Sequence, residues 1–475
     1  MTEMLVGLDV GTTKLCAVAV EATAGTILAV ESTPNAAHRP TGADGAEQDV
    51  SAVIDAVLRL LTRLLAHHEV QGRKLGAIGV TGQMHGVAIL DSHGTPLTPL
   101  ISWQDRRGTH SYAASSRSYA DELTRRLGAD LPQRTGCVPA TGYGAVTLLR
   151  LQQEGLLPER GTAMTIQDAA VQTLCGKAVT DPTDAASWGI FDSAAGCWLD
   201  TLDDALPFLR PLLPAVMPTA STAGTLLPAV ASQLGVAAGV PVAVALGDNQ
   251  ASFLGSVPAP RDSILINLGT GGQMSIPIDY FAYQPPLETR PFVAGQWLMV
   301  GASLCGGRAY QVLETFFRQV GQALFDQTLD GHLYERLNTL AATADPNCDG
   351  LSVSTLFAGS RQDTGACGDI TGISTQNLTP ANLTRAVLDG MIRELLDFYS
   401  VARNAGARAS VLCGAGNGVR CNPLVCQILE SRLGLPLFLP DHAEEAAVGA
   451  ALSGGMAAGI FADWGDAART ILRAV

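Results

Sequence analysis

The stretch MLVGLDVGTTKLCAVAV, Met4 to Val20, constrains this chain more than any other. Val6, Leu8 and Val10 alternate ahead of a tight turn, Gly11-Thr12-Thr13-Lys14, and Leu15, Val18 and Val20 follow it. Alternation on both sides of a short polar turn predicts a β-hairpin. The turn offers a glycine for special backbone angles, two hydroxyls, and successive backbone N–H groups that can nest a phosphate. Asp9 stands just before it, where a carboxylate suits a hydrated Mg²⁺. Ordinary sheets also begin this way, so one hairpin leaves both readings open.

A second copy narrows the choice. Ser263 to Ile276 reads SILINLGTGGQMSI, with Asn267 where Asp9 stood, Gly269 where Gly11 stood, Thr270 where Thr12 stood, and Gly271 closing the turn. A unit repeated at so long an interval predicts two domains of similar plan rather than a solenoid. Two such turns facing one cleft would hold a nucleotide between the domains. The length agrees, because 475 residues exceed one hydrophobic core. The domains are expected over 1–253 and 254–475.

Between and beyond the hairpins, several segments carry chemistry. Leu75 to Val80 reads as a buried strand that empties into Thr81-Gly82-Gln83-Met84-His85-Gly86. A polar insertion at the C-terminal end of a strand is where α/β proteins place ligands; an ordinary loop histidine is the plainer reading. Ile101 to Arg107 reads ISWQDRR. There Trp103 offers a flat wall for the C–H face of a sugar, Asp105 an acceptor and Arg106 a donor for its hydroxyls. A surface loop with an internal ion pair explains it as simply. In VPVAVALGDNQASFL, Val240 to Leu254, an apolar strand ends at Gly247 and Asp248-Asn249-Gln250 opens a helix. A helix N-terminus favours an ionised carboxylate, and an N-cap is the commoner fate of Asp there. The small, acidic segment from Asp181 to Phe191 is expected to form a tight loop over the cleft.

The remaining pattern is structural. Asp49 is expected to cap a helix with the face Val50, Val53, Val57, Leu60 and Leu64. Tyr112 to Leu127 reads as helical, and Thr379-Pro380 begins a further helix. Gly306 and Gly307 sit between a strand and a helix, where close packing and nucleotide approach are equal explanations. Gly414-Ala415-Gly416-Asn417 lies in the same kind of junction, which lets backbone approach a nucleotide, but it lacks a Walker ending. Glu444 to Ala458 is so rich in Ala and Gly that the helix must pack tightly against something.

A net charge of −14 argues against nucleic acid or an anionic membrane as a main partner. It also repels a nucleotide at long range, so a nucleotide site must rely on Mg²⁺, backbone amides and helix N-termini. The longest apolar run, Val236 to Leu246, is broken by Gly239 and Pro241 and is too short for a bilayer. The ten cysteines form no C-x-x-C pair, and the spacing of Cys413, Cys421 and Cys426 fits no zinc pattern. With no secretory n-region at the start, reduced thiols in a cytoplasmic protein are expected.

In order and nearly end to end, the motifs resemble those of the FGGY carbohydrate kinases, the sugar-kinase branch of the actin-like ATPase superfold. They are the first hairpin, TGQMHG, the Trp-Gln-Asp-Arg loop, GDNQAS, the second hairpin, CGAGN and EEAAVGAAL. The resemblance implies an α/β fold of two actin-like (ribonuclease H-like) domains around a central cleft, with ATP and Mg²⁺ as cofactors. It implies that Asp248 is the catalytic base and that Asp9 helps hold the metal. Gly11, Thr12, Thr13 and Lys14, with Gly269, Thr270 and Gly271, would hold the phosphates. Gly306 and the Gly414, Ala415, Gly416, Asn417 loop would meet the nucleotide. Gln83, Met84, His85, Trp103 and Asp105 would line the sugar pocket, with Arg106 and Asn249 beside them.

Within the family, DPTDAASWGIFD, GDNQAS, ETRPF followed by VGASLCGG, STLFAGSR and GAGNGVRCNP are most similar to the sedoheptulokinase branch. TGQMHG is shared with xylulokinases. The expected reaction is phosphorylation of a ketose at its terminal primary hydroxyl, sedoheptulose giving its 7-phosphate. A xylulokinase or other pentulose kinase is the alternative, and a non-catalytic actin-like nucleotide switch the remote one. The expected partners are a small sugar and MgATP, and a homodimer is left open. The chain departs from the family at Cys16, where a basic residue is common; Lys14, two residues earlier on the same strand face, is offered as its replacement.

Overall fold

The computed structural model describes residues 3–113, 115–360, 363 and 365–472. Arg361 of the STLFAGSR stretch, with Gln362 and Thr364 after it, lies outside them, as does Ala114. The first hairpin is β1 (Glu3–Val10) and β2 (Lys14–Glu21), antiparallel, with Val10 opposite Leu15. β3 (Ile27–Pro34) extends it. β4 (Lys74–Gly82) lies parallel to β1 on its other side. β5 (Thr222–Thr225), β6 (Pro241–Ala243) and β7 (Leu246–Gly247) complete a sheet of order β5-β6-β4-β1-β2-β3, with β7 also on β4.

The second sheet repeats this plan. Antiparallel β8 (Ser263–Leu268) and β9 (Gly272–Ile278) form the hairpin. With β10 (Glu288–Pro291), β11 (Trp297–Ser303), β12 (Val411–Ala415) and β13 (Leu437–Phe438), the order is β10-β11-β9-β8-β12-β13. β12 runs parallel to β8, as β4 does to β1. Asp9 pairs with Thr81 of β4 and Asn267 with Ala415 of β12, so the two polar residues hold equivalent register. The repeat read in the sequence is thus a repeat of topology.

Each sheet is covered by helices whose spacing requires it. α1 (Val50–Leu65) begins where Asp49 accepts from the Ala52 N–H at 3.0 Å. Its buried face, Val50, Val53, Val57, Leu60, Leu61 and Leu64, shares a core with Val6, Leu8 and Val10 of β1. Burying one such side chain contributes about 1.5–3 kcal/mol. α2 (Ile166–Cys175) joins this core. On the second sheet, α5 (Gly307–Phe325) follows β11, and α6 (Pro380–Asn404) lies across β9 and β11, its Met391, Leu395 and Phe398 in one core with Ile264, Ile266 and Leu268 of β8. Thr379 caps α6, accepting from the Asn382 N–H at 3.2 Å.

α8 (Glu445–Ala457) is the Ala/Gly helix, and it lies across β1 and β4 of the first sheet and against α4 (Asp248–Leu254). The approach is close enough to demand glycine. A Cβ on Gly7 would lie 1.8 Å from the Ala447 carbonyl oxygen, and one on Gly79 1.7 Å from that of Ala450. The chain's C-terminal part thereby grips its N-terminal sheet.

Three expectations change. Tyr112 to Leu127 is helical only over Tyr119–Leu127, because a capping box between Ser118 and Asp121 starts the helix there. The segment after Asp181 is no loop over the cleft. It contains a short buried helix, α3 (Pro182–Ala186), capped by Asp181, with Thr183 and Asp184 fully buried. The hairpin glycines Gly11, Gly269 and Gly271 hold no left-handed angles. Gly11 is required by proximity, since a Cβ there would lie 2.6 Å from the Lys14 carbonyl oxygen, whereas a Cβ on Gly269 would meet open space.

Candidate active site

β7 delivers the chain to Asp248. Gly247 (φ −64°, ψ 146°) is the cap residue of α4, so Asp248 is its first helical residue and its carboxylate does no capping. The N-cap role that sequence allowed for Asp248 therefore belongs to Gly247. Burial raises the Asp248 carboxyl to about 6, against the opposing pull of Arg290 and the Asn249 N–H. Asp9 is raised to about 7, first by burial and then by the negative charge of Asp248. The two carboxyls therefore share one electrostatic environment.

A cavity of about 320 Å³ opens beside Asp248. Met84, His85 and Trp103 line it from the first half, Asp248, Asn249 and Ser252 from α4, and Asn267, Gln273, Ser275 and Arg290 from the second half. It is a cleft site between the two sheets. His85 holds a left-handed φ of 72°. Its N–H donates to Ser187 Oγ at 3.1 Å, its Nδ1 lies 2.7 Å from the Ser187 carbonyl, and its ring stacks on Tyr143 at 4.3 Å. A carbonyl only accepts, so Nδ1 carries the proton.

Trp103 is 47% exposed, and its indole N–H donates to Thr12 Oγ1 at 2.9 Å. The Thr12 hydroxyl donates to Gln83 Oε1 at 3.1 Å, and Gln83 Nε2 to Gln48 Oε1 at 3.0 Å. Gln83 is thus a buried brace between the first hairpin and the Trp103 wall. Asp105 and Arg106 are not part of the cavity lining. Asp105 is buried, accepts from Arg107 Nε at 2.8 Å and from the Ala46 N–H at 3.0 Å, and so shapes the loop from within. Arg106 points to the exterior of the loop and uses its backbone N–H on Asp44.

Sequence reasoning missed the pair Glu288 and Arg290, 2.6 Å apart on β10. The Tyr143 hydroxyl donates to Glu288 at 3.2 Å, and Arg290 Nη1 reaches Asn249 Oδ1 at 3.5 Å. Burial works against the Arg290 charge, but Glu288 outweighs it and raises its pKa. The signal was present in ETRPF, where residues two apart on a strand share a face. A larger chamber of about 690 Å³ adjoins the cavity through His85, Trp103 and Arg290; Pro139, Tyr143, Tyr283 and Pro286 are among its other walls.

The glycine turns meet one another. The Gly307 N–H donates to the Gly269 carbonyl at 2.8 Å and the Arg308 N–H to that of Thr270 at 3.1 Å. A Cβ on Gly306 would lie 2.4 Å from the Gly271 carbonyl oxygen, and one on Gly416 (φ 76°) 2.5 Å from Asn267 Oδ1. The expected Gly414–Asn417 loop is reduced to Gly416: Gly414 and Ala415 end β12, Asn417 begins α7 (Asn417–Arg420), and the junction seats on the end of β8. Lys14 pairs with Glu444 at 2.8 Å, linking the first hairpin to the residue ahead of α8. Burial works against the Lys14 charge, but the pairing outweighs it and raises its pKa. The buried Cys16 thiol is pushed up by burial and by the same Glu444.

These residues fit a nucleotide and its metal. Gly269 leaves room at the turn where a side chain would fill it. Asp9 offers one acceptor carboxylate, and no group of three His, Cys, Asp or Glu able to hold a metal occurs among the described residues. Mg²⁺ keeps several waters and binds through one or two carboxylates plus substrate phosphates, which suits such a donor set.

Two sheets of one topology, flanking a cleft lined from both halves, define a two-domain α/β protein of actin-like plan. Residues 4–255 match the N-terminal domain, and residues 268–458 the C-terminal domain, of the FGGY family of carbohydrate kinases. The chain belongs to that family and is an ATP-dependent sugar kinase. It is 29% identical to a sedoheptulokinase of Mus musculus over 94% of this chain and 96% of that one. It is 27% identical to a xylulose kinase of Streptomyces coelicolor over 99% and 93%. The crystal structure of xylulose kinase from Rhodospirillum rubrum superposes with a TM-score of 0.85 at 24% identity, covering 99% of this chain and 93% of that one.

Proposed function

We propose that the chain transfers the γ-phosphoryl group of ATP to the terminal primary hydroxyl of a ketose, with a pentulose such as xylulose as acceptor. The observation that carries this reading is Asp248: a carboxylate raised to about 6, facing a sugar-sized cavity at the junction of the two halves. His85, Trp103, Asn249 and Arg290 hold the sugar, and Asp248 orients its terminal hydroxyl. As the oxygen bonds to phosphorus and the bond to ADP breaks, the hydroxyl proton passes to Asp248. The turns Gly11–Lys14 and Gly269–Gly271 donate backbone N–H groups to the phosphates, and Gly306 and Gly414–Asn417 flank the nucleotide. Asp9 would hold Mg²⁺, which supplies charge neutralisation on the phosphates. The ten unpaired cysteines suit a reducing compartment, and we place the enzyme in the cytoplasm.

A seven-carbon acceptor is the second reading. It is favoured by the adjoining chamber of about 690 Å³ and by the likeness to the mouse sedoheptulokinase. Comparing kcat/KM for xylulose, ribulose and sedoheptulose separates the two. Xylulose is expected to lead. A lead for sedoheptulose assigns the larger chamber to its extra carbons, and no ketose-dependent turnover opposes both.

Two further outcomes follow. Asp248 accepts a proton only when ionised, so kcat/KM falls as pH drops through about 6. In Asp248→Asn that acid limb is expected to vanish; a persisting limb would assign it to another group. Lys14 is offered as a phosphate ligand that exchanges Glu444 for the nucleotide. Its ion pair is half-exposed, 48% on the Lys14 side, and pairs open to solvent contribute about 0–1 kcal/mol. Lys14→Ala is therefore expected to raise the KM for ATP with almost no change in Tm, and an unchanged KM and kcat would remove Lys14 from the site.

A further inference from the structure

Asp248 is preceded by a buried polar chain that the transfer itself does not use. The Gly247 N–H donates to Thr183 Oγ1 at 2.8 Å, and the Thr183 hydroxyl donates to Asp181 Oδ1 at 2.7 Å. Asp181 also accepts from the Asp184 N–H at 2.9 Å and from the Thr219 hydroxyl at 2.7 Å. Asp181 and Thr183 are fully buried, and neither lines the cavity. We propose that Thr183, backed by Asp181, is a positioning residue that fixes the Leu246–Gly247 peptide, the unit immediately before Asp248, and so aims the Asp248 carboxylate. The inference rests on the reading of Asp248 as the base.

The chemistry of the groups fixes the direction of this chain. An ionised carboxylate only accepts, so Asp181 claims the single hydroxyl proton of Thr183. The remaining lone pairs of that oxygen are left for the Gly247 N–H. Capping of α3 accounts for Asp181 and the Asp184 N–H, but not for the bond from Thr183 to Gly247. Gly247 has no side chain by which it could be held, and a Cβ there would displace Met84 and Gln250, lying 2.8 Å from Met84 Sδ and from Gln250 Oε1. Its backbone is the remaining handle. One residue earlier, the Leu246 carbonyl accepts from the buried Thr81 hydroxyl at 2.7 Å. Two hydroxyls on separate elements, β4 and α3, thus hold consecutive residues immediately before the base.

The test is steady-state kinetics on Thr183→Val. Small misplacements of a reacting group cost up to about 100-fold, so kcat is expected to fall about 10- to 100-fold. The KM for ketose and for ATP is expected to hold, because the cavity wall is untouched, and Thr183→Ser restores kcat. Thr219→Val removes a bond to the other Asp181 oxygen and leaves the Thr183 bonds to Asp181 Oδ1 and Gly247 in place, so it is expected to lose stability and keep kcat. In the Asp248→Asn background, Thr183→Val is expected to change the residual rate little, as for residues acting through one group. If the two substitutions multiply, or if Thr183→Val keeps wild-type kcat, Thr183 is merely structural and the inference fails while the base stands. If Asp248→Asn alone keeps wild-type turnover, the base reading fails instead. Should Thr183→Val not accumulate as folded protein, Thr183→Ala carries the same comparison.

Discussion

Asp248→Asn is expected to lower kcat by about 10²–10⁴-fold, the usual contribution of a positioned general base, while the protein folds as before. The side chains have nearly the same shape, and the Asp248 carboxylate caps nothing. The attraction lost to Arg290 and the Asn249 N–H is outweighed by the burial that raises the carboxyl, and the repulsion with Asp9 is relieved. An amide removes a charge that burial disfavours. Thermal denaturation should therefore show an equal or higher Tm, and binding of ATP should persist. Turnover equal to wild type in a folded variant would remove Asp248 from the chemistry.

Gly79→Val is expected to have the largest effect on folding. A Cβ at this position would lie 1.7 Å from the Ala450 carbonyl oxygen, 2.6 Å from its carbon and 2.9 Å from the Gly454 nitrogen. All three are backbone atoms of α8, so no rotamer change relieves the clash. Moving α8 away from Gly79 also moves it from Gly7, which meets Ala447 in the same way. Overpacking of a fitted core costs about 1–3 kcal/mol and occasionally more, and a rigid backbone contact belongs at the upper end. The variant is expected to denature many degrees lower or to accumulate as insoluble protein. Gly269→Ala is the control, with nothing within 4 Å of its Cβ, and should leave Tm unchanged. A wild-type Tm in Gly79→Val would show that α8 does not grip the first sheet.

The hairpin repeat was legible in the sequence because strand alternation and a three-residue turn are local. So were α1 and α6, whose capping residues and apolar faces lie within one segment. The meaning of the turn glycines was legible only in part: Gly11 answers to Lys14 within its own turn, whereas Gly306 and Gly416 answer to Gly271 and Asn267, contacts that only the assembled chain makes. The place of Asp105 was hidden for the same reason. An acidic residue beside two arginines reads equally as a ligand or as a buried partner, and the fold gives it to Arg107. Asp181 to Phe191 reads as a loop because its small and acidic residues look solvent-loving. Their burial depends on Thr219 and Gly247, far along the chain. Arg290 escaped because its importance comes from Asn249 and Asp248, brought to it across the cleft.

The most direct test of the central reading is to follow ADP release from MgATP with and without ketose, and to locate the transferred phosphate by NMR. Ketose-dependent ADP release with the phosphate on the terminal primary carbon is the predicted result. A phosphate elsewhere on the sugar, or ADP release indifferent to every ketose tried, would contradict it.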